Sequence, residues 1–121
     1  MNQGVLTKFK NKVTTIVISN PPVNSLSLKV RNALFNAVEL ADNDSEVSAI
    51  VIKGDGKTFS AGADIKEFAL PLKAPNLPVI CERIENCSKP VVVALHGAAF
   101  GGGLEIALAG HYRVATSGTS I

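Results

Sequence analysis

With 121 residues the chain has room for one small domain built around a single core. Hydrophobic residues make up 46% and charged residues 18%, a globular rather than a disordered balance. A formal charge of +2, with no block of like charges, excludes an electrostatic case for nucleic acid or a membrane surface. Cys81 and Cys87 have no His or Cys partners near them in sequence, so neither a zinc site nor a disulfide framework is indicated. They read as ordinary reduced thiols, consistent with an intracellular compartment. The opening MNQGVLTKFKNKV lacks the apolar core and cleavage site of a secretory signal. No apolar stretch reaches the ~18 residues of a membrane span. Thr119, Ser120 and Ile121 are not a peroxisomal Ser-Lys-Leu address. The expectation is a soluble chain without a legible address.

In chain order, VTTIVIS (13–19) is a β-branched run that predicts a strand, stopped by Asn20-Pro21-Pro22. Val30, Leu34, Ala37, Val38 and Ala41 recur at three- and four-residue steps and predict an amphipathic helix, capped by Ser25 or Ser27. Asp42-Asn43-Asp44 ends it. VSAIVIK (47–53) predicts a second strand, buried on both faces, before a Gly54-Asp55-Gly56 turn. A short helix is expected after Asp64, over IKEFA. Pro71, Pro75 and Pro78 then break the chain into a loop expected to be mobile. PVICERIENC (78–87) carries Val79 or Ile80, Ile84 and Cys87 at helical spacing. VVVAL (91–95) predicts a third buried strand, the glycine-led run from Gly101 a helix, and YRVAT (112–116) a fourth strand. Strands alternating with helices predict an α/β fold with parallel pairing.

Two strand ends carry glycine-rich loops, KTFSAGADIKEF (57–68) and HGAAFGGGLEIALAG (96–110). Each passes from a buried strand through small residues into a helix, which leaves free N–H groups at the positive end of a helix dipole. Small residues there let a ligand oxygen approach the backbone. Two such loops suggest a pair of donors converging on one oxygen, such as an acyl carbonyl. Phosphate motifs fit poorly. Gly103 is followed by Leu104-Glu105 rather than Lys-Ser/Thr, and Gly101-Gly102-Gly103 is contiguous rather than G-x-G-x-x-G.

FSAGADIKEF followed by KPVVVALHGAAFGGGLEIALAGHYRVA resembles the enoyl-CoA hydratase/isomerase family, the crotonase fold, from about Val13 onward and including NPPVNSLS. The NPPVN, AFGGGLE and GHYR details are most similar to the hydratase/isomerase half of peroxisomal bifunctional enzymes of fatty-acid β-oxidation. The resemblance implies a repeated β-β-α superhelical fold, of the kind shared with ClpP. Residue by residue, it makes Ala63 N–H and Gly102 N–H the oxyanion donors and Glu105 a catalytic carboxylate. It places Ala61, Gly62, Ala63, Asp64, Ile65 and Gly102 along the coenzyme A thioester, with Lys66 where a cation could meet a phosphate. The implied chemistry is syn addition of water to a 2-trans-enoyl-CoA. Coenzyme A is part of that substrate, and no metal or separate cofactor is implied.

Each residue also has a plainer reading. Glu105 could be an acid stabilised by the helix dipole, Asp64 an N-cap, and Gly101 to Gly103 a packing device. His96 and His111 have no partner at suggestive spacing, and Ser60 has no visible base. Family hydratases carry a second catalytic glutamate after the next strand, in a Pro-Glu segment that does not occur here. Residues 1–121 are therefore expected to be the N-terminal part of a single crotonase-like domain. Isomerase chemistry, which can use one carboxylate, would suffer less than hydration from that loss. The alternative to an enzyme is an impaired fragment acting as an acyl-CoA-binding or interaction module. The resemblance also implies self-association, trimeric in much of the family and monomeric in bifunctional members. It suggests the peroxisome, with mitochondrion or cytosol as alternatives, and no membrane insertion.

Overall fold

A computed structural model describes residues 3–121; Met1 and Asn2 of the expected span 1–121 lie outside the described residues. The elements run β1 (Val5–Lys10), β2 (Val13–Ile18), α1 (Leu28–Asn43), β3 (Ala49–Gly54), α2 (Leu77–Glu85), β4 (Val91–Leu95), α3 (Gly102–Ala109) and β5 (Tyr112–Ala115). The strands form one sheet in sequence order. β1 is antiparallel to β2 and every other pairing is parallel.

The parallel α/β expectation holds, and β1 is an addition to it. β1 joins β2 through Asn11 and Lys12, both at positive φ (52° and 66°). VSAIVIK is also corrected. Ile50 and Ile52 are fully buried, but Ala49 and Val51 are half-buried and Lys53 is exposed. Alternation along β2, β3 and β4 sends Ile16, Ile18, Ile50, Ile52, Val91 and Val93 into a core shared with Val30, Leu34, Val38, Ile80, Ile84 and Ile106. Among the described residues the opposite sheet face has no helical cover. β5 is exposed along its whole length.

Local signals explain the helix ends. The Ser27 side chain caps α1 by accepting the Val30 N–H at 3.4 Å. Ser25 turns the other way, its Oγ accepting from Asn20 Nδ2 at 3.2 Å. α2 starts at Leu77, one residue ahead of the expected proline, with Asn76 accepting the Val79 N–H. Pro78 sits in its first turn, where a missing N–H costs nothing. The helix expected over IKEFA shrinks to a single 3-10 turn, Ile65–Glu67.

Behind β3 and β4 the chain makes short extended crossings, tied by parallel bridges Ser60↔Ala99 and Ala98↔Ser120. Strand, crossing and helix thus recur, and the crossings carry both glycine loops to one end of the sheet.

Candidate active site

Ser60 stitches the two loops together. It is fully buried; its N–H donates to Ala98 O (3.1 Å), and its own carbonyl accepts the Phe100 N–H (3.0 Å). Its Oγ accepts the Gly62 N–H at 3.1 Å and donates to Asn24 O at 2.8 Å. Asn24, also buried, donates through Nδ2 to the carbonyls of Asp55, Thr58 and Phe59.

Close approach explains the glycines. A Cβ on Gly103 would lie 2.4 Å from Ser60 O, and one on Gly62 2.9 Å from Phe100 O. Neither contact is one a real side chain makes. Gly101 has open space around it but sits at φ +52°, ψ −121°, a conformation that favours glycine. The packing reading of the triplet therefore holds for Gly103, whereas Gly101 answers to backbone geometry.

Two main-chain donors result. A Cβ on Gly102 would be 3.8 Å from the Ala63 nitrogen, and one on Gly62 would be 3.2 Å from the Gly102 nitrogen, so the two amides are neighbours. Among the described residues neither N–H donates to another group. Both preceding peptides are trans, so each N–H points opposite to the carbonyl of its own peptide plane. Gly62 O accepts the Leu26 N–H at 2.8 Å, and Gly101 O accepts the Glu105 N–H at 3.0 Å. Each free donor is thus aimed by a bond on the far side of its peptide. Leu26 and Leu77 lie next to Gly102, where a Cβ would be 3.0 and 2.9 Å from their methyls.

Glu105 stands three residues after Gly102, one turn along α3 on the same side, and is exposed. The Cys81 thiol on α2 is pushed up to about 11 by burial, with the charges of Glu105 and Glu85 adding to the effect. The charge of Glu105 is therefore felt on α2.

Ala61, Ala63, Asp64 and Ile65 line a cleft of about 500 Å³ together with Pro22, Val23, Lys29 and Lys66. Gly62, Gly102 and Glu105 are not on its wall. Asp64 acts as the N-cap foreseen for it, accepting the Lys66 N–H at 3.0 Å. His96 Nε2 lies 2.8 Å from Gly56 O, and His111 bridges the Val91 N–H and Glu85 O. Both are engaged in tying backbone. Sequence reasoning passed over Lys29, Asn24 and Leu26, although all three stand in or beside the NPPVNSLS segment it had singled out. Among the described residues no group of three His, Cys, Asp or Glu is arranged to hold a metal ion, and no helix is long and apolar enough to cross a membrane.

The enoyl-CoA hydratase/isomerase family model matches residues 8–121. The chain belongs to this family. It is 49% identical over 106 residues to the peroxisomal bifunctional enzyme of Danio rerio, across 88% of this chain and 15% of that one. A Bacillus subtilis (strain 168) protein named "Probable enoyl-CoA hydratase" is 44% identical over 110 residues, covering 85% of this chain and 43% of that protein. The crystal structure of enoyl-CoA hydratase from Thermoplasma volcanium GSS1 superposes with a TM-score of 0.88 at 33% identity, over 98% of this chain and 50% of that one. The fold is thus crotonase-like. The chain spans less than half the length of the two curated relatives and half of this solved structure.

Proposed function

We propose that the chain supplies the thioester-polarising site of an enoyl-CoA hydratase/isomerase, with Ala63 and Gly102 as oxyanion donors and Glu105 as the proton-handling carboxylate. The observation that carries the reading is the pair of neighbouring, unspent amides whose peptide carbonyls are each tied back. Such donors require no reorganisation as charge develops on a carbonyl oxygen. In a 2-trans-enoyl thioester they would draw electrons toward that oxygen and make C3 electrophilic. Water oxygen bonds to C3 as one of its O–H bonds breaks and the proton passes to Glu105, the C2=C3 π pair moves into the enolate, and the enolate takes a proton back at C2. The product is a 3-hydroxyacyl-CoA. Glu105, one turn from Gly102, orients the water or moves the proton, a contribution of roughly 10²–10⁴-fold. Lys29 and Lys66 on the neighbouring cleft suit the phosphates of coenzyme A, and Ala61, Asp64 and Ile65 form its wall. The name of the peroxisomal relative supports a peroxisomal setting, and the resemblance carried by the NPPVN, AFGGGLE and GHYR segments supports fatty-acid β-oxidation.

The test is crotonyl-CoA hydration by this chain, followed at the enoyl-thioester absorbance, with Glu105→Gln alongside. Turnover abolished in the variant supports the assignment. Acyl-CoA binding without turnover would favour the alternative, a binding module. Neither binding nor turnover would overturn both readings.

A further inference from the structure

We propose that Arg31 is a positioning residue for the Ala63 donor, an inference that rests on the oxyanion reading above. Arginine is seldom buried without partners, yet Arg31 is only 8% exposed. Its guanidinium is shared among four acceptors. Nε donates to Pro75 O (2.8 Å), Nη2 to Lys73 O (3.2 Å), and Nη1 to both Leu26 O and Glu67 Oε1 (2.9 Å each). Glu67 in turn accepts the Leu28 N–H through Oε2 at 2.7 Å. Burial pushes the Glu67 carboxyl up, but the Leu28 N–H and Arg31 outweigh it and hold it below its usual range.

The four contacts bracket Ala63. In front of it, Arg31 fixes the Leu26 carbonyl, while the Leu26 N–H bonds Gly62 O and so sets the plane that carries the Ala63 N–H. Behind it, the same guanidinium holds Glu67, Lys73 and Pro75, the near turn and the far end of the segment that leaves Ala63. One side chain thus prevents that peptide from rotating from either direction. A planar fork of five N–H groups can serve acceptors spread this way, whereas a lysine ammonium on its single stem cannot. Arg31 touches none of the reacting atoms in this arrangement and works through Leu26 and Glu67.

The test uses butyryl-CoA labelled at its carbonyl, which cannot be hydrated, and reads the carbonyl stretch by isotope-edited infrared spectroscopy. Wild type should show a downshift on binding. Arg31→Lys should lose most of it and bind butyryl-CoA roughly fivefold more weakly, the loss of about one hydrogen bond. Its affinity for coenzyme A itself, which lacks the thioester carbonyl, should fall by less than its affinity for butyryl-CoA. Glu67→Gln, which keeps the arginine, should lose part of the downshift and serves if Arg31→Lys does not fold. A full downshift in a folded variant would overturn the role of Arg31 alone. A wild type that binds butyryl-CoA with no downshift would overturn the oxyanion reading and this inference with it.

Discussion

Cys81 offers a probe of where Glu105 points that does not depend on turnover. Its thiol is held in the protonated form by burial first and by the carboxylates of Glu105 and Glu85 second. Removing one negative charge favours the thiolate, which is the nucleophile. Glu105→Gln should therefore speed alkylation of Cys81 at a fixed, mildly alkaline pH by roughly 2–5-fold, the effect of a screened charge worth about 0.5–1 kcal/mol. Peptide mass spectrometry separates this cysteine from the buried Cys87. An unchanged rate would mean that the Glu105 carboxylate turns away from α2. Glu105 itself was legible as a charge planted in the apolar run Leu104, Ile106, Leu108. Its effect on Cys81 was not, because the two come within electrostatic range only when α2 packs on α3. The same limit applies to Arg31. In sequence it is one cation in a helix, and all but one of its four acceptors are more than thirty residues away.

Between elements, the apolar packing of α1 on α2 is joined at its rim by a charged cluster. Asp42 receives the Ser88 hydroxyl and N–H and Arg83 Nη2, and Arg83 Nε also reaches Glu39 at 2.6 Å. The Ser88 hydroxyl, and then Arg83 against an opposing desolvation cost, hold the Asp42 carboxyl well below the usual range. A depressed folded value contributes stability above the ordinary carboxylate pKa, lost as pH falls toward the depressed one. Asp42→Asn should cost about 1–3 kcal/mol at neutral pH, the worth of hydrogen bonds to a charged group. The gap to wild type should close as the solution is acidified, and melting curves across a pH series would show it. A gap that stayed constant would refute the charge-based account. Elements with local causes were readable: the Ser27 cap, the β-branched strands, the glycine loops. β1 was not, since Lys8, Lys10 and Lys12 dilute its alternation and its turn uses Asn11-Lys12 where glycine would have announced a hairpin. Over IKEFA the chain makes a single 3-10 turn in place of a helix, and Glu67 in that turn is held by Leu28 N–H and Arg31, partners remote in sequence.

At the scale of the molecule, the sheet has one covered face and one open one. Ile50, Val51 and Ile52 look alike in sequence, so a strand buried on both faces and a strand half-covered were indistinguishable there; only the packing of the helices chose. β5 carries Tyr112 and Val114 at 67% and 56% exposure and, among the described residues, pairs with β4 at the end of the sheet. An uncovered parallel edge with apolar side chains recruits further strands. The chain should self-associate as its concentration rises, and Val114→Lys should shift sedimentation toward monomer while changing stability by no more than about 0.5 kcal/mol. Equal sedimentation of the two would direct attention away from this edge. The placement of the two free amides has a different consequence. Ala63 and Gly102 would act through atoms that every residue type except proline possesses. Scanning side chains at these positions would therefore alter shape and crowding while leaving the donors in place. Deleting them cleanly requires changing the linkage, an ester oxygen in place of the amide nitrogen. A mutational map of this chain would thus be brightest at the residues that aim the two groups and dim at the groups themselves.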